Sequence, residues 1–102
     1  MADFHLAFLP AAMDDLDRIA AYYLTMVGAS AAERITDQIL ETLAHLERYP
    51  YLGASHPDPV LASMEYRRIL SGEYVCVYKV IEHSVVVYRI VHGATDYPKY
   101  FY

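Results

Sequence analysis

Residues 65–92 read EYRRIL-SG-EYVCVYKVI-EH-SVVVYRIVH, and this stretch decides the fold. Ser71-Gly72 and Glu82-His83 divide three β-prone runs at the spacing of two-residue hairpin loops, which predicts an antiparallel three-strand meander. The second and third runs are filled with Val, Ile and Tyr, side chains that are stiff at χ1 or aromatic and suit a pleated surface. Both faces of such a sheet are mostly apolar and must be covered by the segments upstream or by the chain ends. Spacing the loops evenly pairs residue 68 with 75, 77 with 88 and 79 with 86. One face then carries Tyr66, Arg68, Leu70, Val75, Val77, Lys79, Val86, Tyr88, Ile90 and His92. The other places Arg67, Cys76 and Arg89 in a transverse row, with an arginine on either side of the thiol; a bulge would alter this register.

Working back from the meander, Phe4, Leu6 and Phe8 alternate with His5 and Ala7 as in a first strand. Pro10 suits the first turn of a helix, with Asp14 and Asp15 near its positive end. Ala12, Leu16, Ile19, Ala20, Tyr23 and Val27 form that helix's apolar stripe, with Asp14, Asp15, Asp17 and Arg18 off it, and Gly28 ends it. Ser30 and Glu33 have the spacing of a capping box opening a second helix, whose stripe is Ile35, Ile39, Leu43 and Leu46 and which Pro50 stops. Residues 50–62, with three prolines and a glycine, read as a loop without a full helix. The expectation is one α+β domain over residues 1–102 in the order β-α-α-β-β-β. An antiparallel helical hairpin packs on one face of a four-stranded sheet, and the other face is left open as the place to look for function.

Composition narrows the function classes. A chain of 102 residues that is 56% apolar supports a modest core. It has no apolar run of membrane-spanning length and no basic region before an apolar start, which points away from membrane and secretion and toward the cytoplasm. Cys76 is the one cysteine, placed in a strand as a small hydrophobe. The net charge of −5 is concentrated in residues 1–48, with eight acids against three bases, while residues 49–102 hold five of each. That acidic helical half is a poor approach face for nucleic acid, so no sequence-specific DNA binding by this chain is expected. Glycine-loop, HExxH, CxxC and GxSxG motifs are absent. His5, His45, His56, His83 and His92 are scattered, and neither a metal nor a cofactor is expected.

The residues Pro10-x-x-x-Asp14-Asp15-Leu16 with Ile19, Tyr22 and Tyr23, then Leu46-x-x-Tyr49-Pro50, then Tyr66-Arg67-Arg68-x-Leu70 with Tyr74 and Tyr78, and finally Arg89-x-x-His92-Gly93-x-x-Asp96-Tyr97 resemble the RelE/ParE superfamily of bacterial toxins. The resemblance spans nearly the whole chain. It implies a toxin of a type II toxin–antitoxin pair, held in a hetero-oligomer and neutralised by the C-terminal segment of a cognate antitoxin. The RelE-like branch cleaves messenger RNA on the ribosome with basic residues and a tyrosine near the end, while the ParE-like branch acts on DNA gyrase. Here Leu70 lies near the position of the nuclease's strand arginine, Thr95 takes the place of its second arginine, and Ala94-Thr95 replaces an Arg-Arg pair common in ParE-like relatives. Phe101 lies near the expected tyrosine, between Tyr100 and Tyr102. Cleavage by 2′-hydroxyl attack needs proton transfer and positive charge at the phosphorane. Arg67, Arg68, His92 and Tyr100 are the candidates for that chemistry. The thinness of the set favours the ParE-like, protein-binding branch over a nuclease with a degenerate basic site or a non-toxic protein-binding module, with Arg67, Arg68, Arg89, His92, Asp96, Tyr97, Lys99, Tyr100 and Tyr102 as candidate partner-binding residues. The tail YPKYFY is expected to pack back on the sheet or dock on a partner, and the helices to leave an apolar groove for the antitoxin.

Overall fold

The computed structural model describes residues 3–102. Strand β1 (His5–Phe8) is followed by helices α1 (Pro10–Met26) and α2 (Ala29–Ala44), the latter running into a 3₁₀ turn at His45–Glu47. The expected meander is β3 (Arg67–Ser71), β4 (Tyr74–Ile81) and β5 (Ser84–His92). Two small elements interrupt the presumed loop, namely β2 (Ala54–Ser55) and α3 (Pro59–Ser63). With β2 the sheet has five strands rather than four, in the order β1-β5-β4-β3-β2, and β1 runs parallel to β5. Proline count hid α3 because Pro59 takes the first helical position, where no amide is needed, and Asp58 caps Val60 and Leu61 at 2.9 and 3.1 Å.

The helical hairpin packs on the sheet through the apolar spacing read above. Ala12, Leu16, Ile19, Ile39, Leu43 and Leu46 meet Tyr74, Cys76, Tyr78, Val85, Val87 and Ile90, with Phe4, Leu6 and Phe8 at the margin. Asp15 departs from the predicted pattern: it lies on the buried stripe, 5% exposed, rather than in the solvated first turn. Val27, assigned to the stripe, is 68% exposed because α1 stops at Met26. The capping box does not form. Gly28, at φ 144°, makes the turn between the helices, so α2 begins at Ala29 and Ser30 falls inside it.

Register departs from even spacing at two places. Gly72 occupies the first central turn position at φ 58°, so the β3–β4 loop is Gly72-Glu73 and Arg68 faces Val77 instead of Val75. The β4–β5 loop is Glu82-His83 as expected, and Lys79 faces Val86. A bulge at Tyr88 then pairs Val77 with Arg89 and Cys76 with Ile90. Cys76 therefore lies between Ile69 and Ile90, and the row of two arginines about the thiol does not exist.

The face expected to be open is covered. Leu61 of α3 and Tyr97 of the tail close over Tyr66, Val75, Val77 and Val91, with Tyr88 and Phe101 packed at the edge. The tail turns through a 3₁₀ helix at Pro98–Phe101 to reach this position. Tyr78 bolts the loop ahead of β2 to the sheet, donating to the Pro50 carbonyl at 2.8 Å and accepting from the Gly53 amide at 3.1 Å. A Cβ at Gly53 would collide with the Arg68 carbonyl and this hydroxyl, which is why the position is glycine. Among the described residues, no helix is long and apolar enough to cross a membrane.

Candidate functional site

The bulge in β5 sets the chemistry at the end of the sheet. It lets Arg89 reach α1, where Nε donates to Asp15 at 2.7 Å and a terminal nitrogen donates at 2.9 Å, while the Ile90 amide adds a third bond at 2.9 Å. The bidentate pairing holds Arg89 charged, raising its pKa further above an already high value. Tyr100 of the tail stacks over the guanidinium, 5.3 Å from its ring centre. These groups line a depression of about 280 Å³ floored by Ile19, Ile90 and Val91 and rimmed by Arg18, Tyr22, Tyr74, His92 and Thr95.

His92 sits on that rim with its proton placement constrained. Nδ1 accepts the Ala94 amide at 3.1 Å, so the neutral ring carries its hydrogen on Nε2, which lies 3.7 Å from the exposed Glu73 carboxylate. The ring meets Tyr74 edge-on at 5.5 Å. Burial, aided by the neighbouring Tyr23 hydroxyl, pushes the Tyr74 phenol up to about 12, so it stays protonated at neutral pH. A base needs a free lone pair, and the Nδ1 lone pair of His92 is already occupied by backbone.

The other arginines are placed elsewhere. Arg67 donates to the carbonyls of Tyr51 and Gly53 and stacks over Tyr51 at 5.1 Å, pinning the loop before β2. Arg68 lies on the face covered by the tail, its charge beside His56 and Tyr97. There Tyr97, only 5% exposed, meets His56 Nε2 at 2.7 Å, and His56 Nδ1 accepts the Asp58 amide at 3.0 Å. Tyr102 donates to Asp58 at 3.2 Å, a second tie from tail to loop. Asp96 and Lys99 pair weakly with each other at 4.0 Å, both exposed. Lys79 stands over the Tyr66 ring at 4.2 Å.

The candidate residues thus fall into separate groups: Arg89, His92 and Tyr100 at the depression, Arg68, Tyr97 and Tyr102 along the tail, and Arg67 at the loop. The expected convergence of Arg67 and Arg68 with His92 does not occur: Arg68 points to the opposite face of the sheet, and Arg67 faces Tyr78 whereas His92 faces Tyr74, four residues away along β4. Sequence reasoning missed Asp15, Tyr22 and Tyr74 as lining of the depression, and His56 and Asp58 as anchors of the tail. Asp58-Pro59 was a readable signal, being a cap residue followed by a first-turn proline. Asp15 had none, because its partner is 74 positions away. Cys76 is fully buried and its thiol is pushed up to about 12 by desolvation, which makes it packing rather than chemistry. Among the described residues, no three His, Cys, Asp or Glu side chains gather as a metal site would require.

A helical hairpin laid across a sheet that ends in an antiparallel meander is the architecture of the RelE/ParE toxins. The chain belongs to the family described as the ParE toxin of the type II toxin–antitoxin system parDE, whose profile matches residues 6–97. Its fold is similar to that in the structure of the chromosomal ParDE system from P. aeruginosa, with a TM-score of 0.75 and 22% identity over 87% of this chain and 95% of that one. It is also similar to a chain of the RelBE2 toxin–antitoxin complex from Mycobacterium tuberculosis, with a TM-score of 0.66 and 21% identity over 88% of this chain and 98% of that one. No curated protein sequence matches the chain. This is a toxin of a toxin–antitoxin pair, closer to the ParE branch, and its general partner is an antitoxin.

Proposed function

We propose that this toxin acts by binding a protein, DNA gyrase, and not by cutting RNA, and that the C-terminal segment of its antitoxin neutralises it. The observation that carries this reading is how the cations are used. Arg89 is committed to Asp15, Arg67 to two backbone carbonyls, and Arg68 lies beneath the tail next to His56 and Tyr97. Beside His92 the depression holds Arg18 and Arg89, both paired with the one Asp15 carboxylate, so a phosphorane there would meet cations already partly compensated and no available base. The depression beside Arg89 suits a protein partner better. Its apolar floor is ringed by Tyr22 and Tyr100, 58% and 52% exposed, and aromatic side chains with a hydroxyl are typical anchors of interfaces.

Expression of the chain should arrest growth, and co-expression of the antitoxin should relieve the arrest. The purified toxin should inhibit supercoiling by gyrase, and Tyr22→Ala with Tyr100→Ala should weaken that inhibition tenfold or more while leaving the melting temperature nearly unchanged. Messenger RNA cut at defined codon positions on purified ribosomes, and lost in Arg68→Ala or His92→Ala, would replace this reading with the nuclease one.

A further inference from the structure

The depression beside Arg89 has hydrogen-bond donors to offer and no free carboxylate. Asp15 is the one acid among its lining residues, and each of its oxygens already accepts two bonds. One takes Arg89 Nε at 2.7 Å and the Ile90 amide at 2.9 Å; the other takes a terminal nitrogen of Arg89 at 2.9 Å and one of Arg18 at 3.5 Å. Those bonds use the lone pairs a carboxylate has, so a cation arriving from outside finds none open. The donors are far from used up. Arg18 gives one of its N–H groups to a long bond and keeps the rest toward water, its side chain 68% exposed. His92 Nε2–H faces Glu73 only at 3.7 Å, beyond good hydrogen-bond reach. Tyr22 and Thr95 add exposed hydroxyls to the rim.

We infer that the depression receives a single Asp or Glu side chain of the target protein, whose carboxylate is met by Arg18 while its stem lies on the apolar floor; the inference rests on the proposed function, in which that target is gyrase. Charge sets the class of occupant. Two guanidiniums share one carboxylate, which leaves one positive charge uncompensated, the complement of one more carboxylate. The surroundings exclude a longer anion. Asp14 and Asp17 are exposed in the same turns of α1, and Glu73 and Asp96 are exposed beside His92 and Thr95. A nucleic-acid backbone, charged along its length, would meet these acids, whereas one acidic side chain enters between them. The two arginines differ in freedom. Arg89 is fixed by two bonds to Asp15 and by the Tyr100 ring, but Arg18 holds Asp15 through one long bond and can turn to a partner at little cost. The floor of Ile19, Ile90 and Val91 keeps water from one side of the new pair, which strengthens it.

Supercoiling by purified gyrase, titrated with variants of the full chain, tests the assignment. Thr95 is exposed on the rim, so Thr95→Asp puts the toxin's own carboxylate there, and Thr95→Asn, of the same shape without the charge, measures the steric share. At low salt Thr95→Asp should inhibit at least tenfold more weakly than Thr95→Asn, Thr95→Lys should escape that loss, and the gap should narrow as salt rises. Arg18→Gln should weaken inhibition by a similar factor and Arg18→Lys should restore part of it. Melting temperatures of all four variants check that the fold is kept. Wild-type inhibition that Thr95→Asp weakens no more than Thr95→Asn, or that survives Arg18→Gln undiminished, overturns this inference and leaves the gyrase reading standing. A wild-type chain that does not inhibit gyrase overturns that reading and this one with it. Tighter inhibition by Thr95→Asp than by Thr95→Lys would assign the depression to a cationic partner. Binding of labelled RNA that is lost in Arg18→Gln would assign it to nucleic acid, and either result overturns the inference.

Discussion

Replacing Asp15 by alanine should be the most damaging single change on α1. Its carboxylate is 5% exposed and accepts three bonds of 2.7–2.9 Å, two from Arg89 and one from the Ile90 amide. Removing it strands the Ile90 amide and leaves a partly buried guanidinium without its counter-charge. Breaking a buried pair from one side costs about 3–5 kcal/mol. Arg89 retains 25% exposure and can turn partly to water, which places the loss near the lower end, about 3 kcal/mol. For a domain of this size that is a fall in melting temperature of roughly 12–24 °C. Urea and thermal unfolding at pH 7 measure it, with Asp14→Ala as the control, since Asp14 is exposed and should change stability by less than about 0.5 kcal/mol. Asp15→Asn keeps an acceptor for the Ile90 amide and should lose less than Asp15→Ala. A loss below about 1 kcal/mol for Asp15→Ala would refute the idea that this carboxylate clamps α1 to the bulge.

Other outcomes follow from the second face. Burial first, then Arg68, lowers the His56 pKa below 6.5, so its neutral form favours the folded state. That contribution is fully present above pH 6.5 and is lost as pH falls through the lower folded value; His56→Gln should flatten the pH dependence of stability between pH 7.5 and pH 5. Tyr97→Phe leaves His56 Nε2 unpaired in a buried site and should cost about 1–3 kcal/mol by denaturant unfolding. Truncation after Asp96 should lower the melting temperature sharply, because Tyr97 and Phe101 cover Tyr66, Val75 and Val91; an unchanged melting temperature would show that the tail is not part of the core. Cys76, with its thiol near 12, should resist aromatic disulfide reagents at pH 8 in the native chain and react at once in urea.

The family was legible before the structure because its signals are local. Hairpin loops, alternating valines and the Ile39-Leu43-Leu46 stripe constrain near neighbours in the chain, where spacing maps directly onto geometry. The helical hairpin, the meander and the buried thiol could all be read this way. The site was less legible. A single extra residue at Tyr88 turns Arg89 from a flank of Cys76 into the partner of Asp15, and nothing around Tyr88 announces a bulge.

What the amino-acid order determined by itself was the set of elements and which side chains prefer to be buried, since propensity and periodicity act over one or two turns or a few strand residues. Only the tertiary structure decided how the arginines are used and that the supposed open face is closed by α3 and the tail. Each of these depends on partners far apart in the chain: Asp15 with Arg89, His56 with Tyr97, Gly53 with Tyr78. A pairing energy of a few kcal/mol acts between atoms that packing brings together, and local pattern holds no record of which atoms those are.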